Sequence, residues 1–423
     1  MRGIPAPPEG LGLPTVDKGL AMTGPLDGFR IVDTTSMISG PLGTMILADQ
    51  GAEVVKIENP DSGDHTRLVS NRRGGFSASF LNNNRNKRSV ALDLKRPDGL
   101  EALKRITRGA DVFVQNFRPG VAERIGIGYD AIKAVAPQVV YLSISGFGEH
   151  GPYAAKPVYD PLVQALSGLA TVQAGSDTER PRLVRTILPD KLTGVVAAQA
   201  VTAALLARTR TGRGQHIRVS MLGSVVAFLW GSDMGSQTFV GAEIPQQRAA
   251  SFIDLIYETA DGYISVAVQS DKEWAALTRA LDKPEWLDDP RFTTPALRHK
   301  HIDERLEMTQ EVLRGNTATA WLDRLEAEGV PCAPVLARSE VIQHPQVLEN
   351  DILLEIEHPH AGRLRQHAPA AEFSATPAGV RFGAPGLGEH TAAVLSECGY
   401  SQEEIAAMAE AGAVWLGDRE DSS

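Results

Sequence analysis

The stretch RIVDTTSMISGPLGTMILADQGAEVVKI, residues 30–57, decides the fold class. It begins with the apolar run 30–33, passes through a Gly- and Ser-containing turn, continues as a helical pattern near 41–50 and ends in a second apolar run at 53–57. A β-branched strand, a helix and another such strand make up the unit from which parallel sheets are built. The stretch therefore predicts a parallel sheet covered by helices.

The same alternation continues toward residue 220. Further strands are predicted at 89–92, 111–114, 139–143 and 216–220, with helices at 97–107 and 191–208. This order predicts an α/β fold whose large domain is doubly wound and Rossmann-like, so that ligands bind at the carboxyl ends of the strands. The apolar segment 195–207 is short and interrupted by Gln199 and Thr202, which favours a buried helix over a membrane span.

Beyond residue 230 the pattern changes to that of a smaller α+β unit. Two strand-like runs, 255–259 and 263–268, flank Ala260-Asp261-Gly262, which is typical of a hairpin. Helices are predicted at 271–282, 295–314 and 317–329, and a final helix is predicted to be capped by Ser401 with Glu404 in a capping box. The predicted segments are a flexible arm (1–24), the N-terminal part of a large domain (25–230), a linker (231–249), a small domain (250–335), and a linker with a C-terminal part (336–423).

Composition narrows the classes of function. The 423 residues carry a net charge of −10, which argues against a whole-protein role on nucleic acid or on an anionic membrane. The two cysteines, Cys332 and Cys398, form neither a disulfide framework nor a metal-ligand pattern, and His358-Pro359-His360 lacks a third ligand, so we expect no metal. The N-terminus carries no apolar core typical of a signal peptide, and a cytoplasmic location is expected.

Two features suggest a site. Eight basic residues between 67 and 96 are opposed only by Asp93. An exposed basic face is the commoner explanation for such a run, and a site for a phosphorylated ligand is the alternative. The basic residues are Arg67, Arg72, Arg73, Arg85, Lys87, Arg88, Lys95 and Arg96. The second feature, residues 116–120 (Asn-Phe-Arg-Pro-Gly), directly follows a predicted strand, where ligand loops belong, although such a turn alone is more often structural.

Asp190 follows Pro189 at the start of a predicted Ala-rich helix. The ordinary explanation for an aspartate at this place is a helix N-cap. The alternative is a carboxylate nucleophile, ionised at neutral pH because the usual pKa of aspartate is about 3.9. Such a carboxylate becomes reactive only when a ligand is clamped against it.

Several phrases, in this order along the chain, belong together. They are GAEVVKIE (51–58), GDHTR (63–67), NRNKRS (84–89), LDLK (92–95), NFRPG (116–120), SGFG (145–148), YD (159–160), QA (164–165), TGRGQ (211–215) and LGEHT (387–391). As a set they resemble the class III coenzyme A transferases, a family that includes formyl-CoA transferase, carnitine CoA-transferase and α-methylacyl-CoA racemase. The likeness extends from about residue 25 to about residue 410.

The resemblance implies specific roles. The family's nucleophilic aspartate falls on Asp190, and the enzyme would use coenzyme A and acyl-CoA as substrates, with carboxylic acids as partners and no permanently bound cofactor. It also implies that residues 25–230 form the CoA-binding part of the large domain, that residues 336–423 return to that domain, and that the chain forms an interlinked homodimer. The positions of the family's CoA contacts are Met37, Ile38, Asn59, Leu92, Lys95, Asn116, Phe117, Arg124 and Lys156. Two departures stand out: position 59 is often Arg in the family, and residues 231–247 lack the glycine run that closes over the intermediate in some members.

Within this resemblance three functions are considered. The first is transfer of CoA between two carboxylic acids through mixed-anhydride and aspartyl-CoA thioester intermediates on Asp190. The second is racemisation of a 2-methylacyl-CoA or another acyl-CoA isomerisation, in which the family places a histidine just before the Tyr159-Asp160 aspartate. Here the residue is Tyr159, whose pKa of about 10 suits proton exchange poorly, and this favours transfer. The third is a CoA-binding regulatory protein without catalysis.

Overall fold

The computed structural model describes residues 24–241 and 255–417. The chain divides into two compact units, one made of residues 1–241 and 346–423 and the other of residues 242–345. Residues 1–23 of the predicted arm, and residues 242–249 of the predicted linker, lie outside the described residues.

The first unit is built on a seven-stranded sheet. Its strands lie in the order β14-β5-β2-β1-β6-β7-β8, and all neighbours are parallel except β14, which pairs antiparallel to β5 at one edge. This confirms the α/β class and each strand predicted before residue 221. The strands of this unit are β1 (Arg30–Asp33), β2 (Glu53–Glu58), β3 (Arg72–Arg73), β4 (Phe76–Ser77), β5 (Lys87–Leu92), β6 (Val112–Gln115), β7 (Val140–Ser145), β8 (His216–Ser220), β12 (Leu353–His358), β13 (Gly362–His367) and β14 (Val414–Trp415).

Helices of the first unit pack on both faces of this sheet. The α-helices are α1 (Ser39–Asp49), α2 (Ala78–Asn84), α3 (Pro97–Thr107), α4 (Val121–Arg124), α5 (Tyr129–Val135), α6 (Asp160–Leu166), α7 (Leu169–Val172), α8 (Leu188–Thr211), α9 (Met221–Trp230), α10 (Gly235–Thr238), α17 (Thr391–Glu397) and α18 (Gln402–Glu410), with a 3-10 turn at His65–Leu68. Ser401 caps α18 in a capping box with Glu404, as predicted.

Successive residues of each strand serve opposite layers of core. Val32 and Phe113 pack with α3, α5, α17 and α18, whereas their neighbours Ile31 and Val112 pack with α1 and α8. Because side chains alternate along a strand, strands buried on both faces must be apolar throughout, which is why these runs were recognisable.

Helix α8 differs in part from its prediction. By length and composition it could cross a membrane, and 39% of its most apolar window is buried inside the fold. Its inner face, with Ala197, Val201 and Leu205, packs against α1 and the sheet, while Val195 and Leu206 are exposed. The prediction of a buried helix therefore holds for one face.

The second unit contains the predicted hairpin. β9 (Ile256–Glu258) pairs antiparallel with β10 (Tyr263–Val266), which also pairs with β11 (Cys332–Pro334). The predicted helix over 295–314 is two helices, because the first ends at His301. The elements beside this sheet are α11 (Asp271–Ala280), a 3-10 turn at Pro284–Leu287, α12 (Pro295–Lys300), α13 (Ile302–Leu313), α14 (Ala318–Ala327) and α15 (Arg338–Val341), and α16 (Pro345–Leu348) follows at the boundary between the units.

Candidate active site

The strand order reverses direction at one place in the sheet. From β1 the chain builds outward through β2 to β5, then returns to β6 on the other side of β1 and builds outward through β7 to β8. Ligands of open α/β sheets bind at such a switch point, beyond the carboxyl ends of the strands. The side chain of Asn116, just past β6, bridges this point: its Nδ2 donates to the carbonyl of Ser36 at 2.8 Å, and its Oδ1 accepts from the Ser36 amide at 3.1 Å.

The loop after β1 rests on a buried ionic network. Asp33 accepts hydrogen bonds from the hydroxyls of Thr35 and Thr44 and from the ammonium of Lys87, at 3.1 Å. Lys56 donates to the Thr35 carbonyl at 2.8 Å and lies 2.9 Å from Asp64. Burial alone would raise the pKa of Asp33, but Lys87 and Lys56 hold it well below its usual range. This buried network thus fixes the backbone of the loop after β1.

Met37 in this loop has a strained backbone. Its φ of 71° lies in the left-handed region, which is unusual for a residue with a side chain. The Met37 amide donates to Asp64 Oδ1 at 3.2 Å, which ties this conformation to the same network. Strain of this kind persists where the surroundings determine the backbone, often at functional sites.

The basic run 67–96 forms neither a solvated face nor a complete phosphate site. Four of its eight members are paired with carboxylates, and two of these, Arg85 and Lys87, are fully buried. Arg72, Arg73, Lys95 and Arg96 remain exposed. The interpretation from local charge is therefore wrong for half of the run. The pairs are Arg67–Glu58, Arg85–Asp49, Lys87–Asp33 and Arg88–Glu397.

Two glycines allow α1 and α8 to approach closely. A Cβ placed on Gly43 would lie 2.9 Å from the carbonyl oxygen of Gly194, and a Cβ placed on Gly194 would lie 2.9 Å from the carbonyl oxygen of Ser39. Both distances are shorter than ordinary van der Waals contact, and both contacted atoms belong to the backbone. The glycine contact brings the first residue of α1, Ser39, against the first turn of α8.

Asp190 lies at this helix contact. Its Oδ1 accepts a hydrogen bond from Ser39 Oγ at 2.5 Å, between residues 151 positions apart in sequence. Ser39 is buried and Asp190 is half-buried. Among the described residues, no hydrogen bond to Asp190 Oδ2 is present, so one oxygen is held and the other is free of protein partners. α8 precedes β8, and its first turn therefore lies at the carboxyl edge of the parallel strands.

The helix-cap interpretation of Asp190 is wrong. α8 begins earlier than predicted: Ile187 is its N-cap, and Asp190 is the third helical residue. The buried Asp160, at the start of α6, takes the capping role instead, since its Oδ2 accepts the Asp190 amide at 3.3 Å. The expectation of an ordinary pKa is also wrong: burial raises the pKa of Asp190, the hydrogen bond from Ser39 opposes that rise, and the charge of Asp160 adds to it.

The remaining predicted residues lie on loops or at the ends of elements, with different exposures. Ile38 is buried beside the exposed Met37, and Lys95 is exposed just past β5. Asn59 closes its own turn, because its Oδ1 accepts from the amides of Asp61 and Ser62. Leu92 is 1% exposed in the core, which gives it a packing role beneath the carboxyl edge of the sheet.

A cavity of about 270 Å³ lies beyond β6 and β7, and Phe117 lines it. Gln115 fixes this corner: its Oε1 accepts the Phe117 amide at 2.8 Å, and its Nε2 donates to Ser143 Oγ at 3.0 Å, which in turn lies 2.8 Å from His216 Nε2. Burial and nearby Arg218 lower the pKa of His216.

The other two basic candidates are exposed. Arg124 lies at the end of α4, and the ammonium of Lys156 lies 3.4 Å from the centre of the Tyr153 ring. Within residues 24–241 and 255–417 no cluster of His, Cys, Asp and Glu could hold a metal ion. His358 Nε2 lies within hydrogen-bond distance, 2.8 Å, of the Ala384 carbonyl oxygen.

Sequence reasoning missed Ser39, the capping role of Asp160 and the Gly43–Gly194 contact. Local signals existed for Ser39 and for the place of Asp190 inside its helix. The Ser-Gly-Pro sequence at 39–41 marks a helix that begins directly past a β1 ligand loop, and Pro189 in the first turn of α8 implies that Asp190 lies inside the helix. The pairing of Ser39 with Asp190 has no local signal.

Comparison with known proteins places these features in one family. The model of CoA-transferase family III matches residues 26–391. Human succinyl-CoA:glutarate CoA-transferase is 33% identical over 398 residues, covering 92% of this chain and 90% of that protein. Escherichia coli formyl-CoA:oxalate CoA-transferase is 33% identical over 422 residues, covering 93% of this chain and all of that protein.

Solved structures agree with this assignment. A CAIB/BAIF family protein from Brucella suis superposes with a TM-score of 0.77 at 29% identity, covering 89% of this chain and 100% of that one. The Mycobacterium tuberculosis protein Rv3272, in its orthorhombic form, gives a TM-score of 0.77 at 30% identity, covering 88% of this chain and 99% of that one. The resemblance found in the sequence is confirmed.

Proposed function

The chain belongs to CoA-transferase family III, and from that premise we propose that it moves coenzyme A from an acyl-CoA donor to a carboxylic acid through a covalent intermediate on Asp190. The observation that carries the proposal is the state of this carboxylate. It lies half-buried at the carboxyl edge of the sheet, held at one oxygen by Ser39, with the other oxygen free of partners among the described residues.

The proposed transfer reaction consists of acyl and thiolate exchanges and neither takes up nor releases a proton overall. Asp190 Oδ2 attacks the thioester carbonyl carbon, the C–S bond breaks, and a mixed anhydride forms as CoA thiolate leaves. The thiolate then attacks the aspartyl carbonyl carbon, releases the donor carboxylate and leaves an aspartyl-CoA thioester. An acceptor carboxylate attacks that thioester, and the same two steps in reverse produce the new acyl-CoA and free Asp190. Covalent catalysis of this kind requires that water be kept from both intermediates.

The nucleotide part of coenzyme A is proposed to lie along the carboxyl edge of the sheet. Lys95, Arg124 and Lys156 are exposed at this edge, where they would meet phosphate oxygens, and Phe117 offers a ring at the cavity beyond β6. Binding energy from this remote end would position the reacting thioester against Asp190. Asn59 contributes no charge to the binding of this nucleotide part.

The proposed substrates are short dicarboxylic acids and their CoA thioesters. Two relatives at equal identity are described by names that include a dicarboxylic acid, glutarate in one and oxalate in the other. Tyr159, exposed before α6, supports transfer over racemisation because a phenol exchanges protons poorly near neutral pH. Exchange of the α-hydrogen of a 2-methylacyl-CoA in heavy water, without any acceptor acid, would instead support the racemase.

The quaternary structure is also part of the proposal. α8 and α9 present an apolar outer face that includes Val195, Leu206, Phe228 and Trp230. Large exposed apolar patches are typical of interaction surfaces. We expect this face to be covered in an interlinked homodimer of doubly wound large domains. The proposed location of this dimer is the cytoplasm. Sedimentation equilibrium measures the mass of the assembly directly.

The test of the catalytic assignment is Asp190→Asn. The protein is incubated with succinyl-CoA and hydroxylamine, and the modified peptide is mapped by mass spectrometry. We expect an adduct on Asp190 in the parent protein and loss of glutarate-dependent transfer in the variant, by at least about 10³-fold. The matched control is Asp98→Asn, since Asp98 is also a first-turn aspartate but is exposed on α3. Equal turnover by the parent and the Asp190 variant would contradict the proposal.

A further inference from the structure

Among residues 24–241 and 255–417, one side chain, that of Ser39, holds the carboxylate of Asp190. Ser39 Oγ donates to Oδ1 at 2.5 Å, and Ser39 itself is 4% exposed, so its hydroxyl has little access to water as an alternative partner. A carboxyl group rotates easily about its last side-chain bond, because that torsion has broad minima. Without a donor at Oδ1, the attacking oxygen would have no defined direction.

We propose that Ser39 is a positioning residue for the transfer reaction: its hydroxyl holds Asp190 Oδ1, so that Oδ2 faces the thioester as the attacking atom. This inference rests on the proposed function of Asp190. Ser39 forms no bond with substrate in the reaction and exchanges no proton, since the hydroxyl keeps its hydrogen throughout. It acts through the orientation and ionisation of its neighbour.

The electrostatic surroundings make this donor important. Asp160 on α6 is a second carboxylate close to Asp190, and burial also disfavours the charged form. Lys191, the next residue of α8, donates to Thr186 Oγ1 at 2.9 Å and so is directed to another partner. The Ser39 hydroxyl therefore counters the two influences that would protonate the nucleophile.

The experiment compares Ser39→Ala with Ser224→Ala. Ser224 is a buried helical serine of α9 whose hydroxyl donates to the Ser220 carbonyl, which makes it a control for the loss of a buried hydroxyl. Hydrogen bonds to charged groups change an equilibrium roughly 10- to 100-fold. We expect the acid limb of the pH–rate profile of Ser39→Ala to move to higher pH by about one to two pH units.

Two further readouts separate orientation from binding. The kcat of Ser39→Ala should fall about 10-fold or more on its pH plateau, whereas KM for acyl-CoA should change by less than about 2-fold, because ground-state contacts are kept. Ser39→Thr, which retains the hydroxyl, should recover the parent position of the acid limb. Ser224→Ala should match the parent in both quantities.

The outcomes distinguish this inference from the proposed function. If the parent protein forms a hydroxylamine adduct on Asp190 but Ser39→Ala keeps the parent kcat and acid limb, the positioning role is wrong and the covalent mechanism stands. If the parent forms no adduct on Asp190, the mechanism fails and the role of Ser39 fails with it. A loss of activity matched by an equal loss of folded protein in the thermal melt would also overturn the positioning role.

Discussion

The contact between α1 and α8 gives the sharpest test of how the fold assembles the site. Gly194→Ala adds one methyl group 2.9 Å from the Ser39 carbonyl oxygen and 3.1 Å from Leu42 Cβ. Ordinary contacts between carbon atoms are about 3.5–4.0 Å, so the helices must separate by roughly 0.5 Å. Overpacking costs about 1–3 kcal/mol. Replacing Gly by Ala inside a helix returns about 1 kcal/mol.

These two effects nearly cancel in the free energy of unfolding, which we expect to fall by about 0–2 kcal/mol. Activity should fall far more. A separation of this size lengthens the 2.5 Å bond between Ser39 and Asp190, and misplacement of about 1 Å can cost on the order of 100-fold in rate. Urea denaturation and steady-state kinetics on the same samples measure both quantities.

The control for this variant is Gly109→Ala. Gly109 is exposed, and a Cβ placed there meets nothing within 4 Å, so both its stability and its activity should stay close to the parent. Parent-level kcat in Gly194→Ala, at unchanged stability, would refute the view that close helix packing positions the nucleophile.

Two other predictions concern the buried network. Lys87→Met removes the ammonium group that is hydrogen-bonded to Asp33 and should lower the free energy of unfolding by about 3–5 kcal/mol in urea titrations, whereas Lys95→Met at the surface should change it by less than about 0.5 kcal/mol. Because the pKa values of Asp33, Glu58 and Asp64 are lowered in the folded protein, the unfolded chain binds protons first as the pH falls. The stability present above about pH 5 should therefore be lost progressively below about pH 4. A free energy of unfolding that stays constant between about pH 5 and about pH 3 would contradict this.

Much of the fold was predictable because its signals are local. Strands buried on both faces need unbroken β-branched runs such as 53–57, and a turn such as Ala260-Asp261-Gly262 sets a hairpin by itself. The parallel order of the strands also predicted that the site lies at their carboxyl ends. Asp190, by contrast, came from the resemblance, since its local pattern favoured a helix cap.

The parts that could not be predicted depend on partners distant in sequence. Arg85 and Lys87 looked like phosphate ligands because their partners, Asp49 and Asp33, lie 36 and 54 residues earlier. Local charge counts only neighbours along the chain, whereas a buried ion pair is decided by which strands and helices become adjacent. The same reason hides the Ser39–Asp190 bond, which depends on the packing of α1 against α8.

Asp33 and Asp190 show how one fold prepares carboxylates for opposite purposes. Asp33 is enclosed by two lysines that hold its pKa low, and a carboxylate so neutralised binds the loop backbone but attacks nothing. Burial and Asp160 raise the pKa of Asp190, and among the described residues its side chain meets a hydroxyl and no cation. A cation at that place would secure the charge but compete for the electron pair that must reach the thioester. A hydroxyl donor orients the carboxylate and leaves that electron pair available, which is the physical reason to expect a serine, and not a lysine, beside the nucleophile.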